Sequence, residues 1–161
     1  MSGTFFWLEQ SALGEFMRTS SLWTYPIVNL LHIFGIAALF GAALIIDLRL
    51  LGMWRTTALA SISRAAVPVS KVGFALAATT GVGLLAANGS EYVGNPFLLI
   101  KFGAIGVGMT NVALLNRSAA WKAHLVRELL PHEQRPLAMF GAFSLVAWIA
   151  AVTAGRMIAY W

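Results

Sequence analysis

Three side chains of this 161-residue chain have the type and spacing to do chemistry inside an apolar setting: His32, Lys101 and Arg156. Each falls in a different long apolar run, at a similar depth. His32 follows Pro26 by six residues, roughly 9 Å along a helix. Lys101 follows Pro96 by five residues, and Arg156 precedes Trp161 by five, each roughly 7–8 Å along. Met157 shares that layer. No Asp or Glu in these runs lies at that level to neutralise the cations, and Glu91 in the adjoining loop is the nearby acid.

A charge buried in a membrane without a partner costs about 2.5–3.5 kcal/mol even on a permissive insertion scale. Two arrangements offset it. The Lys101 and Arg156 stems can snorkel to the interface. Alternatively, the layer holds an anionic ligand, and haem b fits: an imidazole ligates iron while Lys and Arg pair with the propionates. Gly35, three residues after His32, then leaves a flat surface for a porphyrin, and Asn29, three before it, orients the imidazole. The competing reading is a neutral histidine hydrogen-bonded across helices, with Gly35 as a packing contact. No second His occurs in an apolar run, so the sixth iron position is empty or filled by Met157, Met109 or a second chain. The candidate cofactor-binding set is therefore His32, Gly35, Lys101, Arg156 and Met157, with His32 as the metal ligand.

These residues need helices that cross a bilayer. The chain is 59% hydrophobic and 11% charged, against about 25% charged for soluble domains. That excludes an ordinary soluble enzyme, a disordered chain and a coiled coil. The absence of Cys excludes disulfides, Cys-zinc sites, cysteine-ligated clusters and thiol nucleophiles. Four apolar runs emerge at 26–48, 68–87, 96–115 and 136–159, each near the roughly 20 residues of a membrane-crossing helix. Pro26, Pro68, Pro96 and Pro136 mark their starts, where a missing N–H is harmless. Asn95 adds a capping side chain before Pro96, and Pro131 falls in a polar loop. Small residues at four-residue spacing, Gly73, Ala77 and Gly81, then Ala147, Ala151 and Gly155, predict closely packed helices.

The net charge of +5 reads as a topology signal and not as a nucleic-acid footprint. Arg49, Arg55, Arg64 and Lys71 surround one connection, and Arg117, Lys122, Arg127 and Arg135 the other. The positive-inside rule puts both connections in the cytoplasm and both termini outside. Trp23, Tyr25, Tyr92, Tyr160 and Trp161 form the outer aromatic belt, with Trp54 and Trp121 near the inner one. The expected fold is all-α: an integral membrane four-helix bundle with antiparallel neighbours, N-out and C-out. Residues 1–24 are an N-terminal interfacial segment and 25–161 the bundle. Residues 5–17 form a short interfacial helix or an extended entry segment. They carry no basic stretch or cleavage site of a removable signal peptide.

Other chemistry is sparse. His124 and His132 read as solvated residues of a basic loop. Asp47 reads as a structural acid paired with Arg49, Lys71 or Arg117, and Trp148 as packing. The methionines show no copper-relay spacing. Phosphate loops, nucleophile elbows and carboxylate pairs are absent from the sequence.

The runs Leu22–Gly35, Ile46–Gly52 and Tyr92–Lys101 resemble a bacterial membrane family of unknown function over about residues 20 to 118. His32, Gly35 and Lys101 are also similar in placement to residues of the CopD membrane domain and of HemJ-like haem-binding protoporphyrinogen oxidases. Asn116-Arg117 resembles the CopD pattern. HemJ-like chains carry a further His on the helix with the Lys, where this chain has Asn111. The resulting expectation is a multi-pass b-type haem protein of the bacterial inner membrane, in electron transfer or porphyrin redox chemistry. The alternatives are CopD-like copper or small-solute transport, and a non-catalytic subunit or assembly factor. The expected partners are the lipid bilayer and a homo-oligomer or larger membrane complex, with no nucleic acid.

Overall fold

The computed structural model describes residues 2–161, and every regular element among them is helical. In chain order these are α1 (Ser2–Glu9), α2 (Ala12–Thr19), α3 (Thr24–Leu50), α4 (Leu59–Asn88), α5 (Pro96–Arg117), α6 (Ala119–Ala123) and α7 (Pro131–Met157). Short 3-10 turns follow α4 at Gly89–Tyr92 and α7 at Ile158–Tyr160. Four helical stretches are long and apolar enough to cross a membrane, of 27, 34, 22 and 30 residues. Their most apolar windows are only 11% to 39% buried inside the protein. Apolar surface on that scale demands an apolar solvent, which makes this a multi-pass membrane protein.

Two prolines depart from the sequence expectation. Pro68 and Pro136 do not open helices but lie inside α4 and α7. Both helices extend past the apolar run into polar sequence, through Ser61, Ser63 and Arg64 in α4 and through Pro131–Arg135 in α7. Hydropathy marks where the bilayer begins and not where the helix begins. Pro131, expected in a loop, sits in the first turn of α7, where Glu133 folds back to accept from the Leu130 N–H at 2.9 Å. Pro26 and Pro96 behave as expected, in the first turns of α3 and α5.

The chain divides into two compact units, one of residues up to Leu39 with Lys71–Pro96, the other of Phe40–Ser70 with Phe97–Trp161. In the first unit the α3 and α4 backbones meet with no side chain between them. A Cβ on Gly35 would lie 2.6 Å from Ala77 N, and one on Gly73 would lie 2.5 Å from Leu39 N. The small-residue spacing thus serves close packing, as expected. The N-terminal segment is two helices, broken at Gln10, with Ser11 capping α2 through Gly14 N. Arg18 ties it down. Its Nη1 donates to Ala86 O and Ala87 O at 3.2 Å each, and its Nη2 to Glu9 O at 2.8 Å. Those are carbonyls from the last turn of α4, which lack intrahelical partners. Glu9 accepts from Ser90 N–H at 2.7 Å, and that donor holds its carboxyl below the usual carboxylate range.

In the second unit a core gathers Ala42, Ile46 and Leu50 of α3, Leu59 and Ala66 of α4, Leu115, Trp121 and Leu137. Trp148 is buried against Gly108, where an added Cβ would sit 3.3 Å from the indole. The α3–α4 turn requires Gly52, at φ +103°.

Candidate functional site

His32 sits in α3 of the first unit, and its imidazole faces α4. Nδ1 lies 3.1 Å from Thr80 Oγ1, and Cε1 lies 3.0 Å from where a Cβ on Gly81 would be. Gly81 therefore makes room for the ring. The Thr80 hydroxyl already gives its proton to Leu76 O at 2.5 Å, so toward His32 it can only accept. Toward Thr80 the imidazole is therefore the donor, through Nδ1–H. Thr80 is the site residue that sequence reading missed. The signal was present as a hydroxyl pair, Thr79-Thr80, beside Gly81 in an otherwise apolar run, but nothing in one dimension aims it at His32.

Gly35 has a different use from the one expected. It is buried, and its Cα face meets Ala77 N and Gly73 O. The flat surface is filled by α4, so a porphyrin cannot lie there. Asn29 is exposed on α3, and the partner that orients the imidazole is Thr80.

Lys101 and Arg156 belong to the second unit. Lys101 is half-buried, and its chain lies along Gly155: a Cβ there would be 3.6 Å from Cδ, Cε and Nζ. Glycine at 155 thus leaves a channel for the lysine stem beside Arg156. Arg156 itself is exposed in the last turn of α7, and its Nη2 donates to Tyr160 Oη at 2.5 Å. Its Cζ lies 4.9 Å from the Tyr160 ring centroid. Arg156 lies one residue before the end of α7 at Met157. Met157 is 38% exposed.

Two further expectations are corrected. His124 is not solvated. It is buried, with Nε2 2.7 Å from Ser63 Oγ and Nδ1 on Trp121 O. Burial pushes its pKa below the ordinary value, Trp121 O pulls it up, and Arg64 pushes it down further. Trp121 is likewise buried, its ring 4.2 Å from the His124 ring. Asp47 has no basic partner among the described residues: Ser144 hydrogen-bonds to it, while Arg49 Nε donates to Thr57 O at 2.9 Å.

Among the described residues no three His, Asp or Glu gather to hold a metal ion. An apolar groove of about 700 Å³ in the second unit, lined by Gly103, Gly106, Thr110, Pro136, Met139 and Phe143, includes none of the candidate residues. Toward a haem, His32 of the first unit would supply an imidazole, while the Cα face of Gly35 is closed by α4. Compared with known proteins, the chain matches no family model, no curated protein and no solved structure.

Proposed function

We propose that this chain is a b-type haem protein of a bacterial inner membrane, in which His32 would ligate the iron. The observation that carries the reading is the Thr80 hydroxyl beside His32 Nδ1. Metal-ligating histidines donate their other ring N–H to an oxygen, which orients the ring and raises its basicity. Thr80 supplies that oxygen at 3.1 Å, on a hydroxyl whose own proton is committed to Leu76. Haem held there would supply one-electron chemistry. In the second unit, Lys101, its stem guided by Gly155, and Arg156 are cations of the type that pair with carboxylates.

The reading carries a topology with it. The basic connections face the cytoplasm, four antiparallel spans form the bundle, and both termini face outward. Protein purified from haem-replete cells tests the function: a Soret band and a reduced α-band are expected, and a colourless preparation contradicts it. A fluorescent reporter active only in the cytoplasm, fused at the C-terminus, stays dark in this topology.

A further inference from the structure

We propose that Asp47 of α3 is a proton-binding site inside the membrane-spanning part of the second unit. The residue is 4% exposed, and its Oδ2 is buried with no hydrogen-bond partner. The backbone of α7 closes over it: a Cβ on Gly141 would be 3.0 Å from Asp47 O and 3.6 Å from Asp47 Cα. Ser144, one turn farther along α7, supplies a hydrogen bond to the carboxyl. Gly141 and Ser144, which face it from α7, are uncharged. Asn111 of α5 donates from Nδ2, at 2.9 Å, to the backbone oxygen of Phe140, the residue before Gly141. On α3 itself, Arg49 is turned away to Thr57 O.

Among the described residues, a carboxylate enclosed like this has no cation within ion-pair distance and one oxygen with no donor. A metal ion does not fit the vacancy in its hydrogen bonding. Hard cations take six or more oxygen ligands, and one carboxyl with one hydroxyl falls far short. A proton needs one oxygen, and Oδ2 is that oxygen. Uptake transfers H⁺ from hydronium to Oδ2, leaving water and a neutral carboxyl. No electron moves, and no co-reactant is needed. The proton has a short way in, because Asp47 is three residues from the end of α3 at Leu50, roughly 4.5 Å along the axis. The exposed turn residues Leu51, Met53 and Trp54 follow.

Infrared spectroscopy of the full chain reads this directly. The expected result is a carbonyl stretch of a neutral carboxyl at pH 7 that shifts in deuterium oxide, fades as pH rises and is missing in Asp47→Asn. Asparagine keeps the shape of the protonated acid. Should that variant fail to fold, wild-type protein treated with dicyclohexylcarbodiimide, which attacks protonated carboxyls in apolar surroundings, decides instead. Mass spectrometry is expected to place the adduct on Asp47, forming more slowly at higher pH. An ionised Asp47 at pH 7, seen as no neutral band and no adduct, overturns the proposal. A band that persists to the highest pH at which the fold survives overturns the exchange.

Discussion

Thr80→Val removes one oxygen beside His32 and leaves the shape nearly unchanged, which makes it the sharpest probe of the imidazole. In the native chain the proton order runs from Nδ1–H to Thr80 Oγ1 at 3.1 Å, then from the hydroxyl to Leu76 O at 2.5 Å. Valine deletes both steps. The imidazole loses the acceptor for Nδ1–H, which then faces a methyl group. Loss of such an outer partner costs about 10–100-fold in metal affinity, or about 1.4–2.8 kcal/mol. The hydrogen bond itself contributes about 0.5–1.5 kcal/mol to the fold. The assay is titration of apoprotein with haem in detergent, followed at the Soret band. Thr79→Val is the control, because Thr79 is exposed and donates only to carbonyls of its own helix. Weaker binding is expected in Thr80→Val alone. Equal affinities in the two variants refute the link between this hydrogen bond and ligation.

Other perturbations follow from the packing. Gly35→Ala places a Cβ 2.6 Å from Ala77 N, and backbone cannot yield as a side chain does. A loss of about 1–3 kcal/mol is expected in denaturant titration, and unchanged stability would mean the close approach is wrong. Arg18→Met strips the donors from Ala86 O and Ala87 O. A loss of about 1–2 kcal/mol lowers the melting temperature by about 2–8 °C, whereas an unaltered melt denies the cap. His124 gives a pH dependence. Its pKa is lowered in the fold from 6.5, so the unfolded chain binds the proton first as pH falls. Stability is fully present above about pH 6.5 and declines below it. His124→Gln flattens that decline, and a wild-type curve without it contradicts the burial.

Which features were legible in the sequence follows from what periodicity can encode. The four crossings could be read because each needs a long apolar run, and Pro26 and Pro96 mark true helix starts. Pro68 and Pro136 misled because a helix continues through a proline when its neighbours re-satisfy the freed carbonyl. Gly73 and Ala77 announced close packing correctly, yet composition could not say that Gly35 was their partner or that Gly81 makes room for His32. Arg18, Thr80 and His124 share a cause. Each is defined by a contact far along the chain, with Ala86, His32 and Ser63 respectively, and local pattern holds no record of it. Asp47 stood out as an acid in a span, but only the fold shows Ser144 beside it instead of a basic residue.

The central claim is that His32 holds the iron, and chemical rescue tests it most directly. His32→Gly removes the imidazole from the α3–α4 contact and leaves a gap beside Thr80 and Gly81. The reduced-minus-oxidised spectrum of this variant is recorded with and without free imidazole. The account predicts loss of the native α-band in the variant and its return when imidazole is added. A native spectrum in His32→Gly before any imidazole is supplied would contradict it.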